Sequence, residues 1–283
     1  MQNGPRFLTD SDINTIVAYS PLTPGSSDGG WTPGSTADLS QLGYLGQTSD
    51  GRFYRWTLIG GTSTVTPGTL LVAPTEPANT TGLAIPTSQP SNTAFFNGTA
   101  SGADSALTKG STSFNVTNGA TAVTADQFAG GFVEVLQTSG TSNGPIKYKL
   151  AGNTAAAASD PITLVLAEPL NVSSKLVPGT DTVNLYVSPW ANVVASATAG
   201  RPVGVVTVQV PNTASQQYLA YVQTKGDCVV TADATGTTAF EEVKQSVTTA
   251  GDVVVVAAAT DYSIGQALET KTSGSVAVHL NIL

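Results

Sequence analysis

The sequence predicts an all-β protein of two to three small sandwich or barrel modules behind an extended N-terminal arm. Three observations carry this expectation. About a dozen short β-branched or alternating segments recur through residues 41–283. Turn dipeptides such as Asn97-Gly98, Asn118-Gly119, Asn143-Gly144 and Pro178-Gly179 fall between them. Only two stretches carry a helical period.

Taken in order, residues 1–40 are punctuated by Pro5, Pro21, Pro24, Gly25, Gly29, Gly30, Pro33 and Gly34, which reads as an extended arm. Within it, residues 9–18 offer a short helix, with Ile13, Ile16 and Val17 at i, i+3 and i+4 behind the caps Thr9 and Asp10. Residues 53–59 follow the turn Ser49-Asp50-Gly51 and alternate, with Tyr54, Trp56 and Leu58 on one face and Phe53, Arg55 and Thr57 on the other. Further strands are expected at 69–73, 114–117, 132–137, 146–150, 162–167, 183–187 and 203–210, then at 218–224, 228–232, 253–257 and 276–283. The second helix is expected at 125–129, after Thr124 and stopped by Gly130-Gly131.

Composition sets the boundaries. Residues 74–110 are dense in Pro, Asn, Thr, Ser and Gly and read as a linker or long loop, and 191–202 form a shorter break. The chain divides into the arm (1–40), a first β segment with its linker (41–110), a middle β module (111–200) and a C-terminal β module (201–283). Residues 41–110 hold too few strands to close alone, so they pair with a neighbour and make 111–200 an insertion.

The reagent counts exclude several classes of function. Among 283 residues only 11% are charged, 11 basic against 19 acidic, for a net charge of −8. A nucleic-acid partner bound through its phosphates does not fit that balance. With one histidine (His279), one cysteine (Cys228) and one methionine, the chain has no multi-His or multi-Cys metal centre and no intrachain disulfide. No phosphate-cradling loop is present, so no cofactor is expected. The first thirty residues lack a basic segment followed by an apolar one, and the longest run without a polar residue, 253–259, is too short to cross a bilayer. The expectation is a soluble, non-enzymatic chain made without export by that route and without a membrane partner.

Each reagent that remains has a structural reading. Gly25-Ser26-Ser27-Asp28-Gly29 matches a nucleophile elbow in letters, but Pro21, Pro24 and Gly30 stand where a strand and a helix are required. His279 falls opposite Val276, Val278, Leu280 and Ile282, on the polar face of the last strand, as a surface or interface histidine. Cys228 lies in an apolar strand as a small hydrophobe. Glu134, Asp233, Glu241, Glu242 and Asp252 offer carboxylates for a glycosidase pair, whose separation the sequence does not give. Phe53, Tyr54, Trp56, Trp190, Tyr218 and Tyr221 read as core aromatics ahead of a binding groove.

Several stretches resemble a known family when taken in order. Asp50-Gly51-Arg52-Phe53-Tyr54-Arg55 with Thr66-Pro67-Gly68-Thr69-Leu70, then Gly204-Val205-Val206 with the stretch Tyr218 to Gly226 and its Val222-Gln223, then Ile264-Gly265-Gln266-Ala267-Leu268 with the alternating run 275–283, resemble tailed-bacteriophage capsid decoration (cement) proteins and related virion proteins. Residues 121–131, Tyr148-Lys149-Leu150 and Ile162-Thr163-Leu164 resemble modules of the same proteins. The resemblance covers most of residues 41–283. It implies a protein made in the host cytoplasm that binds the major capsid protein on the outer surface of the virion shell, as a homotrimer. Under that reading Phe7, Leu8, Ile13 and Trp31, apolar groups in a polar arm, are the expected anchors on capsid or neighbouring subunits, the alternative being that they fold back on the protein's own core. Other functional readings are a different virion component, such as a head fibre or tail protein, or a carbohydrate-binding adhesin.

Overall fold

The structure, a computed structural model, describes residues 5–19, 23–24, 31–32, 39–74, 80–85, 112–136, 146–168, 181–198, 200–214, 216–258 and 261–282. The elbow-like Gly25 to Gly29, the turns at 97–98, 143–144 and 178–179, and most of the expected linker lie outside them. In chain order β1 (Arg6–Phe7), α1 (Asp10–Ile13) and β2 (Ile16–Tyr19) come first, followed by the short pair β3 (Thr23–Pro24) and β4 (Trp31–Thr32). Next are β5 (Leu45–Gln47), β6 (Phe53–Ile59) and β7 (Leu70–Val72), then β8 (Leu83–Ala84), β9 (Ser113–Thr117), β10 (Phe132–Leu136), β11 (Ile146–Asn153), β12 (Pro161–Leu166) and β13 (Thr182–Tyr186). The chain ends with β14 (Pro202–Val206), β15 (Gln217–Ala232), β16 (Glu242–Gln245), β17 (Val253–Val255), β18 (Gly265–Ala267) and β19 (Gly274–Asn281). This is an all-β fold of barrel and sandwich modules. No helix among the described residues is long and apolar enough to cross a membrane.

Contacts divide the chain into two compact units, one of residues 1–20, 41–75 and 189–283, the other of 21–40 and 76–188. The second is thus largely an insertion, and it starts earlier than residue 111 because Leu83 and Ala84 pair with Val183 and Thr182. Residues 189–200 belong to the first unit: Val193 and Val194 bridge to Ile59 and Val72 where a break was expected. Two valines without charge between them pack better than they solvate.

β15 organises the first unit. Its first half lies between β6 on one side and β2 and β14 on the other, and is buried on both faces. Its second half pairs with β19, and the ring β15, β19, β18, β16, β17 closes back on β15 through Ala232 and Val253. Val230, Val243, Val253, Ala267, Val276, Val278 and Leu280 fill that barrel. The sequence suggested two strands split near Gly226. The structure keeps one, because the ladder to β6 shifts register between Gln223 and Lys225 and Gly226, at φ +92°, turns the chain without ending the strand.

Residues 5–19, expected as part of an extended arm, instead dock on this unit. β2 pairs with Leu219 and its neighbours, and Leu8 and Ile13 pack with Tyr54, Tyr221 and Trp56. The expected helix over 9–18 is cut to one turn. Thr9 and Asp12 form a reciprocal capping box at its start, and beyond Asn14 the β-branched Ile16 and Val17 take the open ladder of β15.

The second unit holds one six-stranded antiparallel sheet in the order β8, β13, β10, β11, β12, β9. It curls around a single core that includes Phe114, Phe128, Val133, Leu150, Ile162 and Leu185. Residues 125–129, expected as a helix, form turns. Asp126 sits at φ +57° because its N–H donates to the Asn153 carbonyl (2.8 Å) while its carboxylate accepts from the Asn153 N–H. The buried Asn153 side chain then accepts from Phe128 N–H (2.8 Å) and donates to the carbonyls of Thr124 and Thr154.

Candidate functional site

Two motif stretches of the first unit, Asp50 to Tyr54 and Tyr218 to Gly226, meet in one polar knot. Asp50 accepts from Arg52 Nε at 2.7 Å and from the Thr48 hydroxyl. Arg52 Nη1 donates to the Tyr54 hydroxyl at 2.9 Å, which reaches Gln223 Oε1, 169 positions along the chain. Gln223 Nε2 donates to the carbonyls of Lys225 and Asp227 and so holds the bend of β15. Gly226 is required there: a Cβ would stand 3.0 Å from Arg52 Cγ. Tyr54 and Gln223 are buried, which makes the knot a structural latch; burial raises the Tyr54 phenol above its ordinary pKa.

The four expected anchors separate. Leu8 is 6% exposed and covers Gly46, where a Cβ would stand 2.2 Å from its Cδ1, and Ile13 is equally buried. Both are therefore spent on the protein's own core. Phe7 is 77% exposed and remains a surface group. Trp31 pairs with Pro24 through its backbone, and its side chain lies outside the described part.

The other reagents are placed as follows. His279 Nδ1 lies 2.6 Å from Asp227 Oδ1 on the outside of the barrel. Cys228 packs against the barrel core, and burial, reinforced by the Asp227 carboxylate, pushes its thiol up to about 12. Asp233 is an acceptor for Thr235 N–H and the Ser246 and Thr248 hydroxyls. Burial raises its pKa, but these bonds outweigh that and hold it below the usual carboxylate range. Burial, then the charge of Asp233, raises Asp252. In the second unit Glu134 accepts from Asn184 and Tyr186, which lower its pKa. Among the described residues no group of three His, Cys, Asp or Glu side chains could hold a metal ion.

The feature with the makings of a binding site is an open groove of roughly 650 Å³ in the first unit, a size within the range of ligand clefts. Three distant segments build it: Arg201 and Pro202 at the start of β14, Tyr262 and Ile264 before β18, and Asn281 and Ile282 at the end of β19. Backbone bonds pin each one, Ala73 N–H to the Arg201 carbonyl, Asn281 N–H to that of Ile264 and Ile282 N–H to that of Thr224. Tyr262 is 84% exposed at its rim. Arg201 is the one cationic side chain among the described residues without a described partner. Arg6, Arg52, Lys147, Lys244 and Lys271 pair with carboxylates, Arg55 donates to the Gly43 carbonyl, Lys225 lies over Phe53, and Lys149 is engaged. The sequence did not reveal this site, since its segments are about 60 and 20 residues apart in a chain without repeats.

No family model, curated protein or solved structure matches the chain.

The site is thus defined by its geometry: an apolar floor, an exposed tyrosine and a guanidinium that no carboxylate of its own described surface neutralises.

Proposed function

We propose that this chain is a virion structural protein that binds the outer surface of a tailed-phage capsid and stabilises the shell. Its work is contact rather than catalysis, its partners are the major capsid protein and copies of itself, and its place is the virion surface after synthesis in the host cytoplasm. The observation that carries the reading is the ordered set of motif stretches, Asp50 to Tyr54, Tyr218 to Gly226 and Ile264 to Leu268, all within one unit, the first two joined through Arg52, Tyr54 and Gln223. Supporting it, large apolar groups including Phe7, Phe240 and Tyr262 face solvent on a surface poor in charge, as contact surfaces require.

The test is sedimentation of the full chain with phage heads that lack it, before and after expansion. Saturable retention on expanded heads is expected. Absence of retention, together with absence of self-association, overturns the reading. Specific binding on a glycan array in that case would favour the adhesin alternative.

A further inference from the structure

We propose that the groove around Arg201 receives the Phe240–Glu242 corner of a second copy of the chain. The inference deepens the virion reading, resting on it only for its setting: a protein that assembles through contacts between copies.

The groove specifies its occupant. An apolar floor of Pro202, Ile264 and Ile282 beside an unpaired guanidinium calls for an apolar or aromatic side chain with a carboxylate next to it. The chain presents that combination. Phe240 is 74% exposed and is followed by Glu241 and Glu242, both exposed and without a side-chain partner among the described residues.

The corner is held in place. Phe240 sits at φ +66°, a conformation that bulky side chains rarely adopt. Its N–H donates to the Ala267 carbonyl at 2.8 Å and its own carbonyl accepts from Gln266 Nε2 at 2.7 Å. A backbone fixed on both sides, with an aromatic ring directed to solvent, is preorganised for something outside the molecule. The occupant is another copy because Phe240 is tied to Ala267, the last residue of β18, while Ile264 precedes the first residue of that strand. It cannot swing into its own groove without breaking those bonds. Reciprocal insertion closes a pair, and head-to-tail insertion builds a ring where the rotation per copy closes and a filament where it does not.

The experiment is the solution mass of the full chain by light scattering over a concentration series, for wild type, Arg201→Glu, Glu241→Lys/Glu242→Lys, the combination of all three changes, and Phe240→Gly. Wild type is expected at a multiple of 28.6 kDa. Each charge reversal weakens association at least about thirtyfold, and the combination restores it. Phe240→Gly relieves the backbone, so its thermal stability rises or holds while association falls; a purely structural role would lower both. An unchanged mass for Arg201→Glu or Phe240→Gly, or no restoration in the combined variant, overturns the inference. A wild type that stays at 28.6 kDa also overturns it, and retention of that monomer on expanded heads would leave the virion reading standing.

Discussion

Tyr54 shows how one hydroxyl joins distant parts of the chain. It accepts from Arg52 and reaches Gln223, whose amide in turn holds the carbonyls on either side of Gly226. Tyr54→Phe keeps the buried ring and removes only that link, so unfolding in denaturant should show a loss of about 1–2 kcal/mol. Cys228 gives a pH-dependent readout. Its folded pKa, about 12, lies above the ordinary 9.0, so its contribution is fully present below pH 9 and is lost as pH rises through 12. At pH 8 the thiol should therefore react with an alkylating reagent much more slowly in the folded protein than in denaturant, and equal rates would contradict the burial described. At this scale the sequence was partly legible. Cys228 as a small hydrophobe and His279 on the outer face both follow from the alternation of their strands, and the structure places them so. Arg201 was not legible, because a lone guanidinium becomes conspicuous only when the partners of the other cations are known.

Among the elements, β19 was the easiest to read. Val276, Val278 and Leu280 recur at period two, and that face fills the barrel. Ile16 to Ala18 were misread, since their spacing satisfies a helix as well as a strand. The open ladder of β15 decided between the two. Gly226 was misread for a related reason: a glycine between two apolar runs marks a turn or a continuing strand equally, and the unbroken pairing of Lys225 to Ala232 with β19 carries the strand through it. The docking of residues 5–19 rests on Leu8 over Gly46. Leu8→Ala should lower the stability of the first unit by about 2–4 kcal/mol and expose β2 to faster amide exchange. Phe7→Ala, one residue away but solvent-facing, should stay within about 0.5 kcal/mol of wild type. Equal effects from the two substitutions would mean that the segment is not docked as described.

At the scale of the molecule, an all-β class was legible because β-branched runs and turn residues agree throughout the chain, and each unit has a hydrophobic core of its own. Strand counting led to an expected insertion over 111–200, and the Leu83–Ala84 strand, inside a Pro- and Thr-rich stretch that looks like linker, is what extends the second unit to earlier residues. Function at this scale is proposed to be the reinforcement of a shell, to which many copies contribute small contacts, so that added stability grows with occupancy. The most direct measurement is a heat challenge of expanded, DNA-filled heads lacking this protein, with the full chain titrated in and genome release followed by dye fluorescence. The release temperature is expected to climb with added protein and to level off when the shell is saturated. A release temperature that stays constant across the titration would contradict the proposed reinforcement.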